Sequence, residues 1–259
     1  MTQHAAGGDG LQLFARYAYP PNLRGFCGPD DHQALLQYGA SGVTDPGLAR
    51  LAQAFAGPLP YLTVMAEATG IADPFDRRLV EAYWVGNPIL DRVTVGAFGS
   101  VLDERFRRQM GGGWGFFEEA IPAGSVPHHS FHVFAVYPWV GLLRGEQAEP
   151  LVVLDRCRIR WGTVLESAGE TAVVRSRPLE WDGKRLHLGD GQAEVVRQAT
   201  DGLRFIDPLR PGDLVSLHWD WVCDRLDRRS LGYLQRYTSR HLDMVNERLA
   251  HPGPAMAMG

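Results

Sequence analysis

The sequence predicts an α+β fold, in which a helical N-terminal domain packs on a small OB-like antiparallel β-barrel followed by a C-terminal helix. Three observations predict it. The first half carries helix start and stop signals, residues 157–227 carry short β-branched runs between turns, and residues 229–249 read as one helix. The expected division is a disordered tail over residues 1–10, a mainly helical domain with a His-rich segment over 11–147, and the barrel with its helix over 148–259.

The N-terminal half is divided by residues that begin or end helices. Pro20-Pro21-Asn22 predicts a loop, because proline removes a backbone donor and clashes with the preceding turn. Four helices are then expected, which begin near Pro46, Leu59, Pro74 and Pro88. The last of them runs towards Met110, before the glycines at 111–113.

The barrel is predicted from short runs with glycine-bearing turns between them. Val173-Val174 and Val195-Val196 are β-branched, and Asp182-Gly183 suits a tight hairpin. The first strand is expected to open at Cys157 and the last to close near Trp221. A polar stretch over residues 144–150 is the expected domain boundary.

Composition excludes several classes of function. A net charge of -4 without a Lys/Arg run gives no reason to expect nucleic acid, and no apolar stretch reaches the ~20 residues that span a bilayer. Three separated cysteines and a polar N-terminus without a signal peptide predict a cytoplasmic protein. The aromatic-rich segments leave a homodimer open.

The first chemical feature is a histidine run. His128 and His132 lie four apart, which places them on one face of a helix or of a strand. Paired imidazoles suit zinc, iron, copper or nickel, although a hydrogen-bonded core element of an aromatic-rich segment is the simpler interpretation of the pair. A complete site needs further ligands, for which Cys27, Asp30, His32 and Glu118 are candidates, with His129 as outer support.

The second feature is Cys157 together with His218. Thiolate is a soft ligand for iron, and the flanking Arg156, Arg158 and Arg160 would favour its deprotonation if they lie close. The simpler interpretation is a buried cysteine that packs as a small hydrophobe.

Cys157 stands five positions before Gly162, and Gly212-Asp213-x-Val215-x-x-His218 follows later. This pattern resembles the HypC/HupF family of small barrel chaperones in [NiFe]-hydrogenase maturation. The resemblance implies that Cys157 handles iron carrying carbonyl and cyanide ligands and that His218 assists. It also implies a partner, either the maturation scaffold protein or the hydrogenase large subunit. Trp161 and Asp220 depart from the family's usual Pro and Gly, and Cys157 is internal here.

The whole chain is also similar to an uncharacterised actinobacterial family associated with hydrogenase genes. The first expected function is therefore a maturation accessory protein that binds, carries or shields an iron fragment, with Arg156, Arg160 and Asp220 in outer positions. The alternatives are a zinc or iron enzyme, including one that supplies a diatomic ligand, which uses His128, His132 and Cys27, and a non-catalytic interaction module.

Overall fold

The computed structural model describes residues 6–94, 96, 98–99, 125–136, 138–145 and 148–251. Residues 1–5 of the expected tail lie outside this part, and residues 6–10 belong to the first helix. Glu118 and the segment around Met110 also lie outside the described residues.

Five helices make up the described N-terminal half. They are α1 (Ala6–Leu23), α2 (His32–Ser41), α3 (Pro46–Gln53), α4 (Leu59–Thr69) and α5 (Arg77–Trp84), after which a 3₁₀ turn covers Pro88–Arg92. Aspartates cap three of them, because the side chains of Asp31, Asp45 and Asp76 accept hydrogen bonds from the first-turn amides. Gly70 ends α4 in the left-handed conformation, as its position in the sequence predicts.

Pro20 and Pro21 lie inside α1, and the predicted loop there is wrong. They fall in the last turn, so the helix continues only to Leu23 beyond them. Since Pro21 has no N–H, it cannot bond the carbonyl of Tyr17 four residues earlier, and that carbonyl is left for another donor.

A closed five-stranded barrel follows, which confirms the predicted α+β class. Its strands are β1 (Arg160–Ala168), β2 (Thr171–Ser176), β5 (Gln192–Arg197), β6 (Leu214–His218) and β7 (Trp221–Arg225), in the order β1-β2-β5-β7-β6. All neighbours are antiparallel except β5 and β7, which close the barrel in parallel through the pair Arg197 and Trp221. The Asp182-Gly183 hairpin is present, but its strands β3 (Leu179–Trp181) and β4 (Leu186–Leu188) form a separate small sheet.

Two further helices flank the barrel. Helix α6 (Glu149–Cys157) precedes β1, so Cys157 is the last residue of a helix and does not open the first strand as predicted. Helix α7 (Arg228–Ala250) confirms the expected C-terminal helix and is capped by Asp227. Asn246 ties α7 to β4, because its side chain bonds both the N–H and the carbonyl of Leu186 at 2.8 and 2.9 Å.

The two halves share one hydrophobic core. Buried side chains of α1, α4 and α5 pack in the same cluster as Ile159, Trp221 and Tyr237 from the second half. A second cluster joins α6, α7 and Trp219 around Cys157, and a third fills the barrel. Among the described residues, no helix combines the length and the apolar character that crossing a membrane requires. The extensive shared core gives the junction of the halves a fixed geometry.

Candidate metal centre

Three buried side chains from distant segments meet where the helical half contacts the barrel. One ligand atom each from His129, Cys157 and His218 lies within 4.8 Å of the other two, and within the described ranges this is the group of three metal-ligating side chains that meets this criterion. His129 belongs to a single helical turn, Cys157 ends α6, and His218 ends β6. Their exposed fractions are 5%, 7% and 0%, so the donors are enclosed by protein.

His218 is held in a defined orientation by α1. Its Nδ1 lies 2.7 Å from the carbonyl oxygen of Tyr17, the carbonyl that Pro21 leaves without a helical partner. A carbonyl only accepts, so Nδ1 carries the proton and the neutral ring presents a bare lone pair at Nε2. That Nε2 is buried and makes no hydrogen bond of acceptable geometry. The backbone of Cys157 lies near enough to raise the pKa of His218, but its carbonyl accepts only and cannot donate to a bare nitrogen. A histidine that donates one N–H to a backbone carbonyl and offers the other nitrogen is the usual arrangement of a metal ligand.

His129 has a partner at each nitrogen. Nε2 lies 2.9 Å from the carbonyl oxygen of Cys157, and Nδ1 lies 3.2 Å from the hydroxyl of Tyr83. In the neutral ring Nε2 therefore donates and Nδ1 accepts. A metal ion would replace one of these bonds, and the other would remain to fix the ring from outside.

Burial sets the protonation of the cluster. Desolvation lowers the pKa of His218 to about 4 and that of His129 well below its usual value, so both imidazoles are neutral at pH 7. Desolvation also raises the pKa of the Cys157 thiol, followed by a smaller influence of Cys27. Cys157 is therefore a thiol until a metal ion displaces its proton.

The neighbouring arginines do not activate Cys157, contrary to the sequence-based expectation. Arg158 bonds Asp155 at 2.9 Å, and Arg156 bonds Glu194 at 2.7 Å. Arg160 is also paired with Glu194. The influences that raise the pKa of Cys157 include none of these arginines.

Aromatic rings enclose the donors. The ring of Trp84 lies 4.6 Å from that of His129 and 5.7 Å from that of His218. Trp219, which follows His218, packs in the same hydrophobic cluster as Cys157. On its other side Trp219 is covered by the loop after α1, where Phe26 stacks at 4.6 Å and the Arg24 guanidinium lies 5.2 Å from its ring.

His128 and His132, the predicted pair, do not enter the cluster. His128 is the extended N-cap of the helical turn, and its Nδ1 accepts from the Ser130 N–H at 3.1 Å. The Ser130 hydroxyl then lies 2.6 Å from Nδ1 of His241. His132 begins a π-helical stretch and bonds the Tyr61 hydroxyl at 3.0 Å. The four-residue spacing does not put both rings on one face, because His128 lies outside the helical turn.

The remaining predicted residues lie outside the cluster. Cys27 lies in the loop after α1, and desolvation raises its pKa to about 12. His32 is the partly exposed first residue of α2. Asp220 lies in the turn between β6 and β7, where it pairs with Arg24 at 2.5 Å and Arg197 at 3.7 Å. His129, expected as outer support, instead contributes one of the three ligand atoms that meet, and its adjacency to His128 was the one signal in the sequence.

Comparison with known proteins gives a family without an assigned activity. No curated protein and no solved structure matches the chain, so the resemblance to the HypC/HupF family finds no support there. One family model matches residues 6–252, which is nearly the whole chain and includes all three members of the cluster. The chain therefore belongs to that family, the family of unknown function DUF6390.

Proposed function

We propose that this protein binds one transition-metal ion at the His129–Cys157–His218 cluster. The observation that carries the proposal is the bare Nε2 of His218, which is buried without a partner while Nδ1 is held by the Tyr17 carbonyl. Leaving a buried polar atom unsatisfied costs about 1–3 kcal/mol, and a bound ion would remove this cost.

The donor types and their spacing support the same proposal. One thiolate and two imidazoles suit zinc, iron and copper. In a tetrahedral zinc site the ligand atoms lie about 3.4–3.6 Å apart. Because the three donors lie within 4.8 Å of one another, they need to approach by at most about 1.3 Å on binding, a distance that small side-chain rotations provide.

The metal content of the purified protein distinguishes a metal centre from a cluster with a purely structural role. The protein is purified anaerobically without a metal-affinity tag and its metal content is measured by mass spectrometry. We expect about one ion per chain in the wild type and a loss of more than about 100-fold in affinity for Cys157→Ser and His218→Gln. His132→Gln is the matched control, because His132 is equally buried but bonds Tyr61 outside the cluster.

Equal metal content in the Cys157→Ser variant and the wild type would refute this site. Thermal unfolding of every variant shows whether a loss of metal reflects a loss of fold. A wild-type protein that stays empty after exposure to zinc, iron(II) and copper(I) would refute the proposal altogether.

A second candidate function is the handling of an iron fragment during [NiFe]-hydrogenase maturation. It is favoured by the proximity of Cys157 and His218, the two residues that carry the HypC/HupF resemblance. Cys157 is only 7% exposed. Delivery of the iron fragment to the scaffold protein or the hydrogenase large subunit therefore requires Phe26 and Arg24, which pack on Trp219, to move away. In this function the ion is cargo.

Infrared spectroscopy separates the two candidates. Protein co-produced with the hydrogenase maturation machinery and purified anaerobically would show cyanide and carbonyl stretching bands if it carries the fragment, and Cys157→Ser would lack them. An iron-free wild type without these bands, isolated under the same conditions, would refute iron handling and leave the resident metal centre unaffected.

A further inference from the structure

The charges of the candidate centre distinguish between metal ions. An imidazole nitrogen that binds a metal ion carries no proton, so both histidines are neutral ligands and the Cys157 thiolate supplies the single negative charge of the three donors. Among the described residues, the group of ligand atoms that lie within 4.8 Å of one another contains no aspartate or glutamate. Arg160 donates to the carbonyl of Trp219, next to His218, and its charge is paired with Glu194.

The total charge therefore depends on the ion. A divalent ion bound by one thiolate and two neutral imidazoles leaves one net positive charge, and a monovalent ion leaves none. All three donors are at most 7% exposed, and a net charge in such surroundings carries a large desolvation penalty.

The number of donors also favours a monovalent ion. Structural zinc takes four ligands, and the cluster supplies three in an enclosed site. Copper(I) accepts three ligands and favours soft sulfur donors together with imidazole. We infer that the centre is built for copper(I), held by His129, Cys157 and His218 as a neutral three-coordinate site; this inference rests on the proposed metal binding.

A zinc site completed by Cys27 is the strongest rival. With two thiolates and two imidazoles a zinc ion would also be neutral and four-coordinate. Cys27 lies outside the group whose donor atoms are within 4.8 Å of one another, so this rival requires the loop after α1 to move inwards. Cys27→Ser therefore discriminates between the two sites, because only the zinc site uses its sulfur.

The first experiment uses the full chain under anaerobic conditions. Copper(I) is added in competition with a colorimetric copper(I) chelator, and X-ray absorption counts the bound atoms. We expect one sulfur and two nitrogens around copper, unchanged in Cys27→Ser and lost in Cys157→Ser. Two sulfurs around the ion, retention of copper by Cys157→Ser, or displacement of copper(I) by equimolar zinc would overturn the inference. Zinc occupancy of the same cluster would leave the proposed function standing, whereas an empty protein would remove both.

The second experiment changes only the charge next to the centre. The ring of His132 lies 6.2 Å from that of His129, so the carboxylate of His132→Asp adds a negative charge nearby once it is ionised, and His132→Asn is its neutral match. Burial raises the pKa of a carboxyl group, so both variants are compared at rising pH until the Asp variant has lost its proton. At this distance one unit charge should shift the zinc-to-copper affinity ratio about 100-fold towards zinc in the Asp variant relative to the Asn variant. An equal ratio in two folded variants would overturn the charge argument. If the Asp variant does not fold, the coordination experiment on the wild type still decides the question.

Discussion

Acid should unfold the metal-free protein at an unusually mild pH, because five histidines are buried in the neutral form. They are His128, His129, His132, His218 and His241, and desolvation is the main cause of the lowered pKa in each. Burial lowers the pKa to about 3 for His128 and to about 4 for His132 and His218. In the unfolded chain the pKa of a histidine is about 6.5.

The sign of the effect follows from these shifts. The folded state binds protons more weakly than the unfolded state. The buried neutral histidines therefore contribute fully to the free energy of unfolding above pH 6.5, and this contribution is lost as the pH falls towards about 4. Each histidine that stays neutral in the folded state lowers the free energy of unfolding by about 2 kcal/mol between pH 7 and pH 5. Five such groups lose about 9 kcal/mol, which is comparable with the about 5–15 kcal/mol that holds a typical domain folded.

Urea unfolding of chelator-treated protein, followed by tryptophan fluorescence between pH 5 and 8, measures the loss. Near pH 5.5 the slope should correspond to about 4.5 protons taken up on unfolding. His132→Gln should lower this number by about one, because it removes one of the five buried imidazoles. A slope of one proton or less in the wild type would show that the buried histidines do not govern acid stability.

Three further predictions concern the cluster and the barrel. Metal affinity should rise about tenfold per pH unit between pH 6 and 8, because binding releases only the Cys157 proton; chelator competition across pH checks this, and a slope of two protons would contradict it. Pro21→Ala supplies an N–H that competes with His218 Nδ1 for the Tyr17 carbonyl, so the orientation of His218 becomes less fixed. Metal affinity should then fall about tenfold in the same competition assay. Unchanged affinity would show that the Tyr17 carbonyl does not position His218 for metal binding. Gly162→Ala places a methyl against Val174 Cγ1 and the Arg175 carbonyl, closer than van der Waals contact, and should destabilise the fold by about 2 kcal/mol. Gly232→Ala, in open space on α7, should stabilise it by about 0.5–1 kcal/mol. Urea unfolding measures both variants, and changes of the same sign would refute the packing argument.

The local elements could be predicted because their signals lie in a few neighbouring residues. Asp45-Pro46 begins α3, Gly70 ends α4 and Asp182-Gly183 forms a hairpin, as the residue types require. The α+β class with a barrel and a terminal helix followed from the order of these elements. Pro20 and Pro21 were misjudged, because the last turn of α1 tolerates prolines once its carbonyls find other donors.

The sequence by itself determined which residues bring reactive chemistry: a thiol at Cys157, an imidazole at His218 and a run of imidazoles beginning at His128. Only the tertiary structure decided that His129, and neither His128 nor His132, meets the other two. The direction of a side chain depends on the backbone of its own turn and on the elements packed around it. His128 caps a turn in extended conformation, and a carbonyl of α1, released by Pro21, aligns His218 across the junction of the two halves. Such contacts join residues far apart in the chain, so residue spacing does not encode them.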